Sequence, residues 1–249
     1  MIKYGLKLWS SNNPLIFKEA VDLVWDKQFD FVELYIVPGT FDANRFSIFK
    51  TIPMTLHATH TSHGANLAQV NEINAKAHTE VTKFADFLSA SQIVVHPGHG
   101  TSLETVITHL KKLNDTRFLI ENMPYRVLQH KDETCVGVTA DEIRQLLPFC
   151  SGLCFDFGHA VKACVSKSLD YKEFSREFFA FSPTYFHITD GTNSEFDDHL
   201  KLGTGIYDLK WIKSEIENVE GEVRVVFETP KEGNSLESDI QNKNYYLNL

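Results

Sequence analysis

Two short stretches decide the fold: Gln92–His96, QIVVH, and Arg224–Glu228, RVVFE. Each is a continuous apolar run closed by a residue that can hold a proton or a cation. A strand wetted on one face alternates apolar with polar, whereas a parallel strand covered on both faces does not. Working outward, comparable runs recur along the chain and predict strands at Tyr4–Leu8, Phe31–Tyr35, Met54–His57, Ile93–His96, Phe118–Glu121, Leu153–Asp156, Tyr185–Ile188 and Val223–Glu228. Between them, helical periodicity predicts Leu15–Lys27, Asn44–Lys50, Leu67–Leu88, Leu103–Leu113, Thr139–Leu147, Tyr171–Phe181 and Leu209–Val219, with a tail from Leu236 closing the ring. Eight alternations in one compositional regime predict an α/β fold of the (β/α)8 TIM barrel type over residues 1–249, not an open doubly wound sheet.

The length of 249 residues matches the ~250 typical of such a barrel. Hydrophobic residues at 43% suffice to fill its interior and its helical jacket. No apolar stretch approaches the ~18 residues of a membrane span. The start, MIKYGLKLWSSNNP, lacks a signal-peptide core, so a cytoplasmic location is expected. Cys135, Cys150, Cys154 and Cys164 show no CxxC spacing and are expected to be buried free thiols. A net charge of −9 argues against a broad nucleic-acid surface, although bound cations can reverse the sign at a site.

The longer connections follow strand ends, at 122–138 and 190–208, where a barrel builds its active site. Strands three to five finish on His57, His96 and Glu121. The sixth finishes on Asp156 and runs on to His159 in FDFGHA. The seventh carries His187 in FHITD, with Asp197 and His199 following in its loop, and the eighth ends on Glu228. A single histidine or carboxylate at a strand end is more often a hydrogen-bonded rim residue or a helix cap. Six consecutive strands delivering such groups to one rim is different, because unneutralised carboxylates crowded there are strongly destabilised. Divalent cations resolve the crowding, and imidazole with carboxylate suits zinc first, with manganese or iron as alternatives.

The motifs LHATHT, VVHPGH, IENMP, FDFGHA, FHITDG, DDHLKLGTG and FETP together resemble the endonuclease IV (AP endonuclease family 2) group of xylose-isomerase-like barrels, from Tyr4 to Pro230. The resemblance implies three metal positions. His57, His96 and Glu121 would hold the first; Glu121, Asp156, His187 and Glu228 the second; His159, Asp197 and His199 the third. It also implies metal-activated water attacking phosphorus in line, with Glu121 and Glu228 as the catalytic carboxylates. Asn122 and Asp190 are expected to orient ligands. Arg126, Lys162, Lys201 and Lys231 fall in expected rim loops, as candidates to meet phosphates or as solvated charges. An aromatic residue follows the first histidine ligand by three positions in the DNA enzymes of that group, and here His60 stands there. The basic segment expected after the second strand is IVPGTFDANRF, with Arg45 its one cation.

Charge counting separates two chemistries. Three divalent ions against the carboxylates Glu121, Asp156, Asp197 and Glu228 would leave the site positive, suited to a phosphate-containing substrate such as abasic DNA in a repair reaction or a smaller phosphoester. One ion held by Glu121, Asp156, His187 and Glu228 would leave it negative and suited to a neutral sugar, with the glutamates as acid and base of an isomerase or epimerase. A barrel that binds a ligand without turnover is the third possibility. The surplus ligands favour the phosphoester hydrolase.

Overall fold

The computed structural model of the protein describes residues 1–100, 102–127 and 132–249. In chain order its elements are β1 (Ile2–Trp9), α1 (Pro14–Trp25), β2 (Phe31–Tyr35), α2 (Ala43–Phe46), β3 (Met54–His57), α3 (Glu72–Leu88), β4 (Ile93–Val95), α4 (Leu103–Leu113), β5 (Phe118–Glu121), α5 (Ala140–Leu146), β6 (Gly152–Asp156), α6 (Phe157–Lys167), α7 (Tyr171–Phe179), β7 (Tyr185–Ile188), α8 (Leu209–Glu217), β8 (Val223–Phe227) and α9 (Glu237–Leu247). Every strand pairs in parallel with the next, and β1 closes on β8 through Ile2–Val223 to Gly5–Val226. The sequence-predicted (β/α)8 barrel is the observed fold.

Local chemistry sets the helix starts. Asn13 Oδ1 caps α1 by accepting from the amides of Leu15 and Ile16, ahead of Pro14 at the first helical position. Thr139 and Glu142 form a reciprocal capping box on α5. Three expectations need correction. The helix predicted from Leu67 starts only at Glu72, because the Asn71 side chain accepts the Asn74 amide and caps it there. The helix predicted at Asn44–Lys50 is the short α2 followed by a 3-10 turn at Ser47–Thr51. A helix absent from the sequence prediction, α6, follows β6 without a loop, since the last strand residue, Asp156, is itself the N-cap and accepts the His159 amide at 2.7 Å.

Two apolar layers result. The outer one joins helices to the barrel wall and is rich in phenylalanine, with Phe17, Phe46, Phe49 and Phe84 packed edge to ring on one side. The inner one consists of Phe31, Val94, Leu119, Cys154, Tyr185 and Val226, one side chain from each of six strands. On β1 the matching position is Gly5; a Cβ there would lie 2.4 Å from the Phe31 ring, so the glycine makes room for that ring. Because strand side chains alternate, the next inward residue lies two positions on. From β1 to β8 that layer reads Lys7, Glu33, His57, His96, Glu121, Asp156, His187 and Glu228. The apolar layer thus forms a dry floor under eight polar side chains.

Phe31→Ala would open a hole in that floor that its neighbours cannot fill. An expected loss of about 3–5 kcal/mol should lower the urea midpoint; an unchanged midpoint would show that the ring does not fill the barrel.

Candidate metal centre

The polar layer is crowded and buried. Glu121 Oε2 lies 2.9 Å from His96 Nε2 and 3.3 Å from His57 Nε2. Its other oxygen, Oε1, lies 2.9 Å from His187 Nδ1 and 3.6 Å from His159 Nδ1. His187 Nδ1 also faces Glu228 Oε1 at 3.3 Å and Asp156 Oδ2 at 3.9 Å. From the loop after β7, Asp197 Oδ2 reaches His199 Nε2 at 2.7 Å and His159 Nε2 at 3.7 Å. All nine sequence-predicted ligands therefore fall in one contiguous cluster. Ligand atoms lie within 4.8 Å of one another in the sets His57–His96–Glu121, Glu121–Asp156–His159 and His57–His187–Glu228. The first set is the expected one. Elsewhere His159 sits with Glu121 and Asp156, His187 sits with His57 and Glu228, and a fourth set joins Glu121 and His187 to Cys154.

Two features fit this cluster to cations. First, buried carboxylate oxygens are left over: Glu121 Oε2, Asp156 Oδ2 and Asp197 Oδ1 accept no hydrogen bond among the described residues. The two imidazoles beside Glu121 Oε2 approach it without hydrogen-bond alignment. A buried acceptor in that state is costly unless something positive faces it. Second, the histidines are held by their far sides. His57, His159 and His199 place Nδ1 at 2.9, 2.8 and 2.7 Å from the main-chain carbonyls of Ala58, Asn122 and Glu228. A carbonyl only accepts, so Nδ1 carries the hydrogen and Nε2 is left to face the cluster. His187 is anchored in the opposite sense, with Nε2 at 2.9 Å from Glu33 Oε2. Such outer partners are how ligating histidines are oriented.

The charges answer one another. Burial opposes ionisation of Glu121, Asp197 and Glu228, but histidines, and Lys7 in the case of Glu228, outweigh it and hold all three well below the usual carboxylate range. Asp156 differs: burial pushes it up to about 6. Burial likewise opposes protonation of His159, His187 and His199, yet their surroundings raise all three, through carboxylates at His159 and at His199, which reaches about 10, and through Cys154 and then carboxylates at His187. His60 is held neutral by burial and by its neighbour His96, on which it stacks at 4.7 Å.

Two residues of the polar layer escaped the reading of strand ends. Lys7 Nζ donates to Glu33 Oε1 and to Glu228 Oε1, each at 2.5 Å. Glu33 Oε2 accepts from Tyr185 at 2.5 Å as well as from His187. Neither residue ends its strand, which is why both were missed. A charge in the middle of a strand covered on both faces was the available signal.

The expected supporting residues divide. Asn122 exchanges two hydrogen bonds with the Asp156 main chain, at 2.9 and 2.7 Å, clamping the ends of β5 and β6 beside the cluster. Asp190 touches no ligand. It accepts the amides of Gly191, Gly203, Gly205 and Tyr207 and so folds the loop that carries Asp197 and His199; a Cβ on Gly205 would lie 2.3 Å from Asp190 Oδ1. Lys162 is neither in a loop nor solvated: it is buried on α6, paired with Asp198 and donating to Thr192 O at 2.8 Å. Lys231 is tied to Asp239, and Lys201 donates to Gln241 at 2.9 Å. Arg126 lies 4.0 Å from Glu195. Arg45 binds Asn12 O and packs over Phe17. Of the expected 122–138 loop, residues 128–131 lie outside the described residues. The four cysteines are free thiols; Cys150 is half-buried and not fully enclosed as expected.

Above the cluster opens a cavity of about 250 Å³, lined by Lys7, Trp9, Tyr35 and His60 together with His57, His96, His159, Asp197, His199 and Glu228. Asp190→Ala would strip four amides of a charged acceptor and should cost about 1.5–3 kcal/mol. Limited proteolysis should then cut within 191–207 while the barrel stays folded; resistance equal to the parent chain would refute the role given to Asp190.

No helix among the described residues is long and apolar enough to cross a membrane. No curated protein matches the chain. Among solved structures the chain is similar to endonuclease IV from Thermus thermophilus, with a TM-score of 0.73 and 18% identity over 99% of this chain and 98% of that one. It is similar to a D-tagatose 3-epimerase-like protein at a TM-score of 0.72 and 16% identity, over 99% and 97%. A third is 3-keto-D-glucoside 4-epimerase from E. coli, at 0.70 and 12%, over 100% of both chains. At these identities the likeness is one of fold, and it spans endonucleases and sugar epimerases alike. The family model described as xylose isomerase-like TIM barrel matches residues 28–245, and the chain belongs to that family.

Proposed function

We propose that the protein is a divalent-metal-dependent phosphoester hydrolase with a di- or trinuclear centre, zinc being the preferred ion. The observation that carries this is the delivery of Asp197 and His199 from the loop after β7 to His159. A single cation held by Glu121, Asp156, His187 and Glu228 has no use for them. Zinc takes about four ligands, so nine donors exceed what one ion can employ. Bound cations would supply positive charge for a phosphoryl group and lower the pKa of water to ~7. The protein's own groups would then orient that water and take its proton, Glu228 being a carboxylate that lines the cavity and contacts the cluster. Lys162 and Lys231 are internal ion pairs, and the cavity has about the volume of a small ligand. Both favour a small phosphoester, or a single residue turned out of a nucleic acid, over a broad duplex footprint. The same cavity, with Glu228 in its wall, also suits a monosaccharide, and this keeps a one-metal isomerase or epimerase as the second reading.

Metal content and turnover separate the two. The zinc-loaded chain is expected to hold two to three equivalents by elemental analysis and to hydrolyse a phosphate ester. Asp197→Ala and His199→Ala should each lower the zinc content and reduce turnover at least about a hundredfold. Full content and turnover in both variants, or one manganese with sugar epimerisation, would sink the proposal.

Metal affinity should also depend on pH in a definite direction. The raised pKa values of His159, His187 and His199 mean that each carries a proton at neutral pH in the metal-free chain, and that proton must leave before the nitrogen can ligate. Affinity should therefore rise with pH and fall further as Asp156 protonates below about 6. Calorimetry in buffers of different ionisation enthalpy should register proton release; proton uptake would contradict the assignment.

A further inference from the structure

The polar layer contains a cation that the metal ligands do not require. Lys7 projects from the middle of β1 into the barrel, and its stem is enclosed there. Glu33 and Glu228 each take one of its N–H groups at 2.5 Å. An ammonium has three donors, and no further protein acceptor for Lys7 is found among the described residues. The side chain nevertheless lines the cavity, beside His57, His96, His159 and Asp197. Two other lysines near the rim, Lys162 and Lys231, are already engaged by Asp198 and Asp239.

Retaining a buried ammonium next to a site built for divalent cations is electrostatically unfavourable, because like charges repel most strongly where solvent is excluded. Glu33 makes the arrangement tenable. It does not line the cavity, and it holds Lys7 through one oxygen while its other oxygen holds His187 and Tyr185. A charge kept there at such cost is best employed on an anionic ligand.

We infer that Lys7 is a specificity-determining residue that gives its third N–H to a non-bridging oxygen of the substrate's phosphoryl group, with Glu33 as the positioning residue that aims it. The inference rests on the phosphoester reading and narrows it: the substrate presents an anionic oxygen to the β1 side of the cavity, whereas a neutral sugar would offer the third N–H of Lys7 an oxygen without charge. Glu33 acts on the ligand only through Lys7 and His187.

The test uses the full-length, zinc-loaded chain with inorganic phosphate as the probe, followed by calorimetry, with zinc content measured in parallel. In Lys7→Met, phosphate binding is expected to weaken about tenfold to a hundredfold, the range for one hydrogen bond to a charged group, with zinc content unchanged. Because Lys7→Met leaves Glu33 Oε1 buried without the ammonium it faced, the double variant Lys7→Met/Glu33→Gln removes both charges together and should show the same weakening. Phosphate binding equal to the parent in these variants would overturn the role of Lys7 and leave the hydrolase reading standing. Loss of zinc in step with loss of phosphate in both would also overturn it, since Lys7 would then act only by ordering Glu228. A parent chain that binds no phosphate but does bind a neutral monosaccharide would overturn the hydrolase reading and this inference with it.

Discussion

Five carboxylates meet at one end of the barrel, Glu33, Glu121 and Asp156 buried and Asp197 and Glu228 half-buried, and their mutual repulsion is what the rest of the mouth is arranged to offset. Water would ordinarily stabilise such charges, and the apolar layer beneath and the helical jacket around them exclude it. The compensation comes from Lys7 on one side and from His159, His187 and His199, whose proton affinities the carboxylates raise. Protons are a poor permanent solution, because Glu121, Asp156 and Asp197 still keep an oxygen with no hydrogen bond among the described residues. A divalent cation offers more charge in less space. The same crowding that would destabilise a protein without a ligand therefore describes a good metal site.

The fold converts this local problem into a defined arrangement. Parallel pairing of neighbouring strands fixes which residues share a layer, and alternation carries the chain from the apolar layer to the polar one in two residues: Leu119 to Glu121, Cys154 to Asp156, Tyr185 to His187, Val226 to Glu228. Groups distant in sequence become neighbours without any loop having to place them. Only Asp197 and His199 arrive by loop, and there Asp190 substitutes for a strand by gathering four amides onto one carboxylate. The elements that carry the site are thus rigid, as accurate positioning of ligands requires.

Family membership does not choose the chemistry. Endonucleases and sugar epimerases share this barrel, and their overlap with the chain is similar in extent. In the proposed reading the two chemistries differ in how many cations the mouth would hold and in the charge that would remain once they are bound. For that reason the outlying pair Asp197 and His199, and the buried cation Lys7, weigh most in the proposed function.

Much of this was legible in the sequence. Eight doubly covered strands leave a mark in composition, since both faces must be apolar, and the convergence of His57, His96, Glu121, Asp156, His187 and Glu228 followed once their strands were taken as parallel and in order. Helix α6 was hidden because Asp156 serves at once as the last strand residue and as the helix cap, so no loop separates the two periodicities. Lys7 and Glu33 were hidden for a different reason. Their meaning depends on register, which sets Lys7 beside Glu33 across β1 and β2, and on ring closure, which sets Lys7 beside Glu228 on β8, 221 residues away. A linear sequence records which residues a strand carries and in what alternation. Which charges meet across the closed barrel, and which carboxylate oxygens they leave unanswered, is decided only when the first strand joins the last.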